Sequence, residues 1–398
     1  MTGKSRGRKK SRQEEVVTGS KGQTMKEILQ RHFETYPKMQ VTDAVKLLYQ
    51  SEFGGGHMIA NPVKSLGWIK NEWAQVCGAG NDEVVDCADE NAREVENGAD
   101  APLSGCRDVL EYIGGGICRV SLHALADGLA PETLNQMFVK TADRTVGSVE
   151  AFEKKLDMLR ALCAAGAAPF CAEELEQYLE KYKAEGYPPV SHSETYRENY
   201  HPSYRVVSTG YTRYYHVFRE IDRALAAARA EEQVVISIDG MCGSGKSTLG
   251  RILEEIYDCN LFHMDDFFLR PEQRTPERFA EPGGNVDYER FKAEILDHIG
   301  DKNGFRYQAY NCGIQALDGY VTVPYKKLNI IEGAYSNHPY FGSPYTVKFL
   351  CKITPEEQLN RILKRNGPEM LERFKAVWIP MENRYFETFA VEDGCIVV

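Results

Sequence analysis

The fifteen residues from Val234 to Thr248 read VVISIDGMCGSGKST and concentrate groups that can do chemistry on a phosphate. Gly240, Gly245, Lys246 and Ser247 fit the spacing G-x-x-x-x-G-K-[ST], in which glycines let successive backbone amides curl around an anion. Gly243 and Ser244 sit inside that curl and Thr248 follows it, so all seven residues from this set are candidate nucleotide contacts. Lys246 is placed to reach the β and γ phosphates, and Ser247 to ligate Mg²⁺. A glycine-rich structural turn would need neither the lysine nor the hydroxyl in these places. Two carboxylates further on suit the same chemistry. Asp265, in HMDDFF, can accept the proton of an attacking hydroxyl, and Glu332, in NIIEG, can help to hold the metal.

These groups require particular elements to carry them. Val234 to Ile238 is an apolar, β-branched run of the kind found in a buried parallel strand, and from Lys246 onward Leu249, Ile252, Leu253 and Ile256 recur at helical spacing. A helix there points free N–H groups and the positive end of its dipole at the cradle. Asn260 to Met264 reads as a second strand, which delivers Asp265 at its C-terminal end, where open parallel sheets bind their ligands. Residues 270–287 carry prolines, glycines and three arginines and read as a long functional loop before a helix at Tyr288 to Ile299. Leu328 to Ile331 is a buried strand ending at Glu332, Val347 to Ile353 is another, and Cys395 to Val398 is an edge strand. Thr354 caps a helix that carries Arg361 and Arg365 one turn apart, suited to reach across a nucleotide, and that stops near Gly367.

Composition constrains the setting. The chain has 398 residues, enough for two domains, and a net charge of -10 that disfavours non-specific nucleic-acid binding. The eleven cysteines show neither C-x-x-C pairs nor zinc spacing, which predicts a reduced, cytoplasmic chain. No apolar run approaches a membrane span, so no membrane partner is expected.

Residues 1–24 are polar and basic and read as a disordered tail. Residues 25–230 read as a mainly α-helical domain of unknown role, with 82–105 as an acidic surface stretch and the boundary to a second domain, 231–398, near Glu231. Three clusters in the helical half combine glycines, histidines and arginines: Gly54 to His57, Gly114 to His123 with Arg119, and Ser191 to Arg205 with His192, Tyr196, Arg197, His201 and Tyr204. They read either as a ligand or metal pocket or as ordinary caps and bends, with Ser191 and Glu194 forming a capping box.

From Val234 to its C-terminus the chain resembles the uridine kinase and phosphoribulokinase family of P-loop kinases. The resemblance rests on GMCGSGKST, HMDDFF, the NVD of Asn285 to Asp287, the IIEG of Ile330 to Gly333 and the arginine-bearing helix. It implies a P-loop kinase domain with a mostly parallel, doubly wound α/β sheet that uses ATP and Mg²⁺, with Asp265 as catalytic base. It further implies that Asp287 holds ribose hydroxyls and Tyr310 contacts a base, although Asn311 stands where the family commonly has aspartate. The resulting expectation is a kinase acting on a small alcohol, foremost the 5′-hydroxyl of uridine or a related nucleoside. Pantothenate, a sugar phosphate or glycerate are the alternative acceptors, and a nucleotide-driven switch is the alternative class. A homo-oligomer is left open.

Overall fold

The computed structural model describes residues 23–59, 61–78 and 109–398. The basic tail and the acidic stretch at 82–105 lie outside the described residues, except that Thr24 caps the helix Met25–Thr35 by accepting the N–H of Glu27. The described chain divides into two compact units that alternate along the sequence. Residues 23–59, 109–121 and 138–213 make up most of the first, and 61–77, 122–137 and 214–398 the second.

In the first unit, the helices Met25–Thr35, Val41–Phe53, Val149–Ala164 and Ala172–Ala184 pack Ile28, Leu29, Leu47, Leu48, Phe152 and Leu159 into one core. A small antiparallel sheet accompanies them, formed by β1 (Leu110–Gly114), β2 (Ile117–Ser121) and β3 (Tyr204–Ser208). The helical reading of this half did not include that sheet. Gly114, Gly115 and Gly116 all have positive φ and make the β1–β2 turn, and a Cβ on Gly115 would lie 2.0 Å from the carbonyl oxygen of Ser51. The triple glycine is therefore a hairpin laid against a helix end.

The polar clusters of this unit are largely satisfied internally. Arg119 is buried, donating to Glu111 at 3.0 Å and through Nε and Nη2 to the side-chain oxygen of Gln50. His192 lies between Asp43 at 2.9 Å and the hydroxyl of Tyr204 at 2.7 Å, and burial pushes its imidazole down to about 4. The cap of the helix Glu194–Tyr200 is Ser193, which takes the N–H of Tyr196, and not Ser191. Among the described residues no group of three or more His, Cys, Asp or Glu could hold a metal.

The second unit is built on a five-stranded sheet of β4 (Val234–Gly240), β5 (Cys259–His263), β8 (Leu328–Glu332), β9 (Val347–Cys351) and β10 (Ile396–Val397), with the antiparallel hairpin of β6 (Phe305–Asn311) and β7 (Ala316–Val323) inserted in the chain between β5 and β8. Spatial order is β10-β9-β4-β8-β5, with every pairing parallel. All seven residues of β4 are buried, as its mostly β-branched apolar run, broken only by Ser237 and Asp239 before Gly240, suits in a central parallel strand. The chain leaves β4 for β5 on the far side of β8, so the topological switch point opens a crevice at the carboxyl ends of β4 and β8. The helix Pro355–Arg373 is interrupted where Gly367 adopts φ 80°, which matches the expected stop, but helical structure resumes beyond it. The stretch expected as one long loop contains the short helix Pro276–Ala280.

The helix Tyr215–Ala227 belongs to this unit. It lies against β4 and β9, buries Val217, Phe218 and Ile221 completely, and its Asp222 accepts the hydroxyl of Tyr257 at 2.9 Å. Losing three buried side chains of this size costs roughly 2–5 kcal/mol each. A fragment starting at Glu231 should therefore melt well below one starting at Tyr214; equal melting midpoints by circular dichroism would show that this helix does not contribute to the fold of the sheet.

Candidate nucleotide and acceptor site

The cradle is set by backbone geometry. Gly240, Gly243 and Gly245 have φ of 142°, 76° and 106°, and a Cβ on Gly240 would lie 2.1 Å from the carbonyl oxygen of Cys351 on β9. The last loop residue opens directly into the helix Lys246–Ile256. Lys246 donates to the carbonyls of Gly240 at 2.7 Å and Met241 at 3.0 Å, which keeps its ammonium inside the loop. Arg361 reaches across from the helix Pro355–Arg373 to the carbonyls of Gly243 and Ser244, each at 3.2 Å, and Arg365 lines the same cleft. The cleft has a volume of about 570 Å³, and Thr248 also contributes to its wall.

The metal candidates meet at the switch point. Ser247 donates to Glu332 at 3.2 Å, and the other oxygen of Glu332 accepts from His263 Nδ1 at 2.6 Å. His263 and Glu332 are register partners on β5 and β8, so both side chains leave the sheet on one face. The carboxylate pulls the imidazole above its ordinary range. One hydroxyl and one carboxylate fit Mg²⁺, which keeps several waters and takes most remaining ligands from phosphates. Ser247 and Glu332 would hold such an ion, which would supply neutralising positive charge to a bound nucleotide's phosphates.

The adjacent aspartates separate cleanly. Asp265 lines the cleft, whereas Asp266 accepts the hydroxyl of Tyr307 at 3.0 Å, and its backbone carbonyl accepts from Arg290. Although the Asp265 side chain is open to the cleft, the surrounding protein and the nearby Glu332 charge raise its carboxyl above the ordinary value.

Asp287 and Tyr310 are placed differently from what the family resemblance implies. Asp287 is buried, with one oxygen capping the following helix at the N–H of Arg290 and the other accepting from Gln273 at 2.8 Å. Tyr310 is also buried, and its hydroxyl is held by Arg274. Neither lines the cleft. The residues that do include Asn285, which belongs to the NVD element, and Tyr335 and Glu382, which the sequence reading did not single out. Glu382 accepts the N–H of Cys242 in the cradle at 2.8 Å, and burial raises its carboxyl. Asp239, the residue before the first cradle glycine, accepts from Gly240, Tyr335, Asn337 and Tyr385. Its place immediately before the motif is the signal that could have found it; Glu382 has none.

Fold and cradle together define an α/β P-loop domain. No protein-family model matches the chain. A chain described as a possible uridine kinase from Bacillus stearothermophilus is 19% identical, with a TM-score of 0.35, covering 46% of this chain and 98% of its own. One assigned as a fructose transport system kinase, from Silicibacter sp. TM1040, is 16% identical with a TM-score of 0.37, covering 46% of this chain and 94% of that one. A curated relative, the bifunctional shikimate kinase/3-dehydroquinate synthase of Thermotoga maritima, is 24% identical over 155 residues, which are 38% of this chain. The match spans 27% of that relative's length. Likenesses at this level leave the chemistry to be read from the site's own residues.

Lys246 opens the helix Lys246–Ile256, and its ammonium is bonded to loop carbonyls rather than packed in the apolar core, so Lys246→Ala should change stability by only about 1 kcal/mol. It should lower any ATP-dependent turnover by about 10²-fold or more, through loss of charge stabilisation on the transferred group. Thermal melting and ADP release measured on the same preparation test both halves of this expectation.

Proposed function

We propose that the chain is an ATP- and Mg²⁺-dependent kinase of a small alcohol, foremost the 5′-hydroxyl of uridine or a related nucleoside. The observation that carries this reading is that Asp265 shares one cleft with Lys246, Ser247 and Glu332, while its neighbour Asp266 is turned away onto Tyr307. A hydrolytic switch needs a group that orients water, but a carboxylate raised by its surroundings and facing the phosphate cradle suits proton acceptance from an alcohol. In this reading Lys246 and the loop amides stabilise charge on the transferred phosphoryl group. Ser247 and Glu332 hold the metal, Arg361 and Arg365 cover the nucleotide, and Asp265 orients and deprotonates the acceptor. A cytoplasmic setting is supported by the nine described cysteines all being free, and no described helix is long and apolar enough to cross a membrane.

Asp265→Asn should retain most ATP affinity and lose acceptor-dependent ADP release by about 10² to 10⁴-fold, the usual contribution of a positioned base. Asp266→Asn should lose far less. Equal losses would mean that both carboxylates bind metal, and no loss in either would favour the switch. Because the base must be ionised and its carboxyl is raised, kcat/KM should fall on acidification at a pH above the ordinary aspartate value near 4. A pH–rate profile whose acidic limb lies at or below that value would contradict the role.

A further inference from the structure

We propose that His263 is a positioning residue for the metal site, setting the carboxylate of Glu332 in the orientation in which that group holds Mg²⁺. The inference rests on the kinase reading above, in which Glu332 and Ser247 hold the ion, and adds to it a residue that acts through Glu332.

A glutamate side chain is long and flexible, so a carboxylate that must hold a metal gains from being aimed by partners of its own. Glu332 is fixed along its whole length. Its backbone ends β8, in register with Ile238 of β4 on one side and His263 of β5 on the other. Its stem lies against the helix Lys246–Ile256 at Gly250, where an added Cβ would come 3.3 Å from Glu332 Cγ, tighter than ordinary van der Waals contact. At its head, one oxygen accepts the hydroxyl of Ser247 at 3.2 Å and the other accepts His263 Nδ1 at 2.6 Å.

Those two bonds are unequal. A hydroxyl at 3.2 Å is at the long end for its kind, whereas an N–H at 2.6 Å from a carboxylate is short and charge-assisted. Because an ionised carboxylate only accepts, the proton of the shorter bond sits on Nδ1. Ser247 is itself a metal candidate. His263 is therefore the partner that holds Glu332 without competing for the ion.

Neither packing nor direct contact with a ligand accounts for an imidazole at this place. β5 lies at the edge of the sheet, and the His263 side chain is 40% exposed. His263 does not line the cleft, so its effect on the site passes through Glu332.

The test is the affinity of Mn²⁺, a paramagnetic substitute for Mg²⁺, for the full chain saturated with AMP-PNP, read by electron paramagnetic resonance of the free ion. AMP-PNP affinity in EDTA is measured beside it by calorimetry. His263→Ala should weaken Mn²⁺ binding by about ten-fold or more and change metal-free nucleotide affinity less than about two-fold, as loss of a partner behind a metal ligand usually does. Two amide variants separate the ring nitrogens. His263→Asn places an N–H where Nδ1 stands and should recover most of the Mn²⁺ affinity, whereas His263→Gln carries its amide out to the place of Nε2 and should stay as weak as His263→Ala. Wild-type Mn²⁺ affinity in His263→Ala, or no difference between the two amides, would overturn the proposal while the kinase reading stands. An equal weakening of metal-free nucleotide binding would also overturn it, since the residue would then support the cradle as a whole. Unchanged Mn²⁺ affinity in Glu332→Gln, or no Mn²⁺ binding by the wild type with AMP-PNP, would overturn both the proposal and the metal site of the kinase reading.

Discussion

One buried carboxylate ties the second unit's functional parts together. Asp239 is the last residue but one of the central strand, in a place with no solvent exposure, and its two oxygens receive four donors: the N–H groups of Gly240, Tyr335 and Asn337, and the hydroxyl of Tyr385. Burial pushes the carboxyl up, while these donors and the nearby Lys246 pull the other way. Burying such a group costs several kcal/mol unless its lone pairs are met, and here they are. The consequence is geometric. The first residue of the cradle, the loop after β8 and the helix Ile379–Phe389 are held to one point.

The charges of the unit follow a similar logic of local satisfaction. Arginines are abundant in the loop before β6, yet each finds acceptors there; Arg278 alone is stacked on Tyr288 and paired with Glu289. Arg290 lies over the ring of Phe267 and donates to the carbonyls of Asp266 and Gln308. These side chains fold the loop onto the hairpin and leave the cleft's cations to the cradle and its flanking helices. The cleft lining thus combines the cations Lys246, Arg251, Arg361 and Arg365 with the carboxylates Asp265, Glu332 and Glu382.

Legibility tracked the distance over which each feature is determined. The cradle could be read because its constraint is local: glycines at φ values closed to other residues, followed by a lysine and a hydroxyl at fixed offsets. The strands β4, β5, β8 and β9 were visible as short apolar runs. The sheet of the first unit was not, because β2 pairs with β3, more than eighty residues away, and its three short strands flank a glycine turn that masks alternation. Choosing Asp265 over Asp266 required only that neighbouring side chains diverge, whereas recognising Asp287 as a cap required knowing where Gln273 lies.

By itself, the sequence determined the parallel α/β character of residues 234–398, the phosphate cradle and the carboxylates that follow two of its strands, since each depends on residues close together along the chain. Tertiary structure decided which side chains face the cleft. Asp287 and Tyr310 are turned into the protein by partners from other segments, and Glu382 is brought under the cradle from a helix 140 residues later, by its bond to Cys242 and by the anchoring of Tyr385 on Asp239. A hydrogen-bond partner supplied by a distant segment leaves no periodicity or motif at the residue that receives it. Only the folded arrangement could therefore show that Asp287 caps a helix.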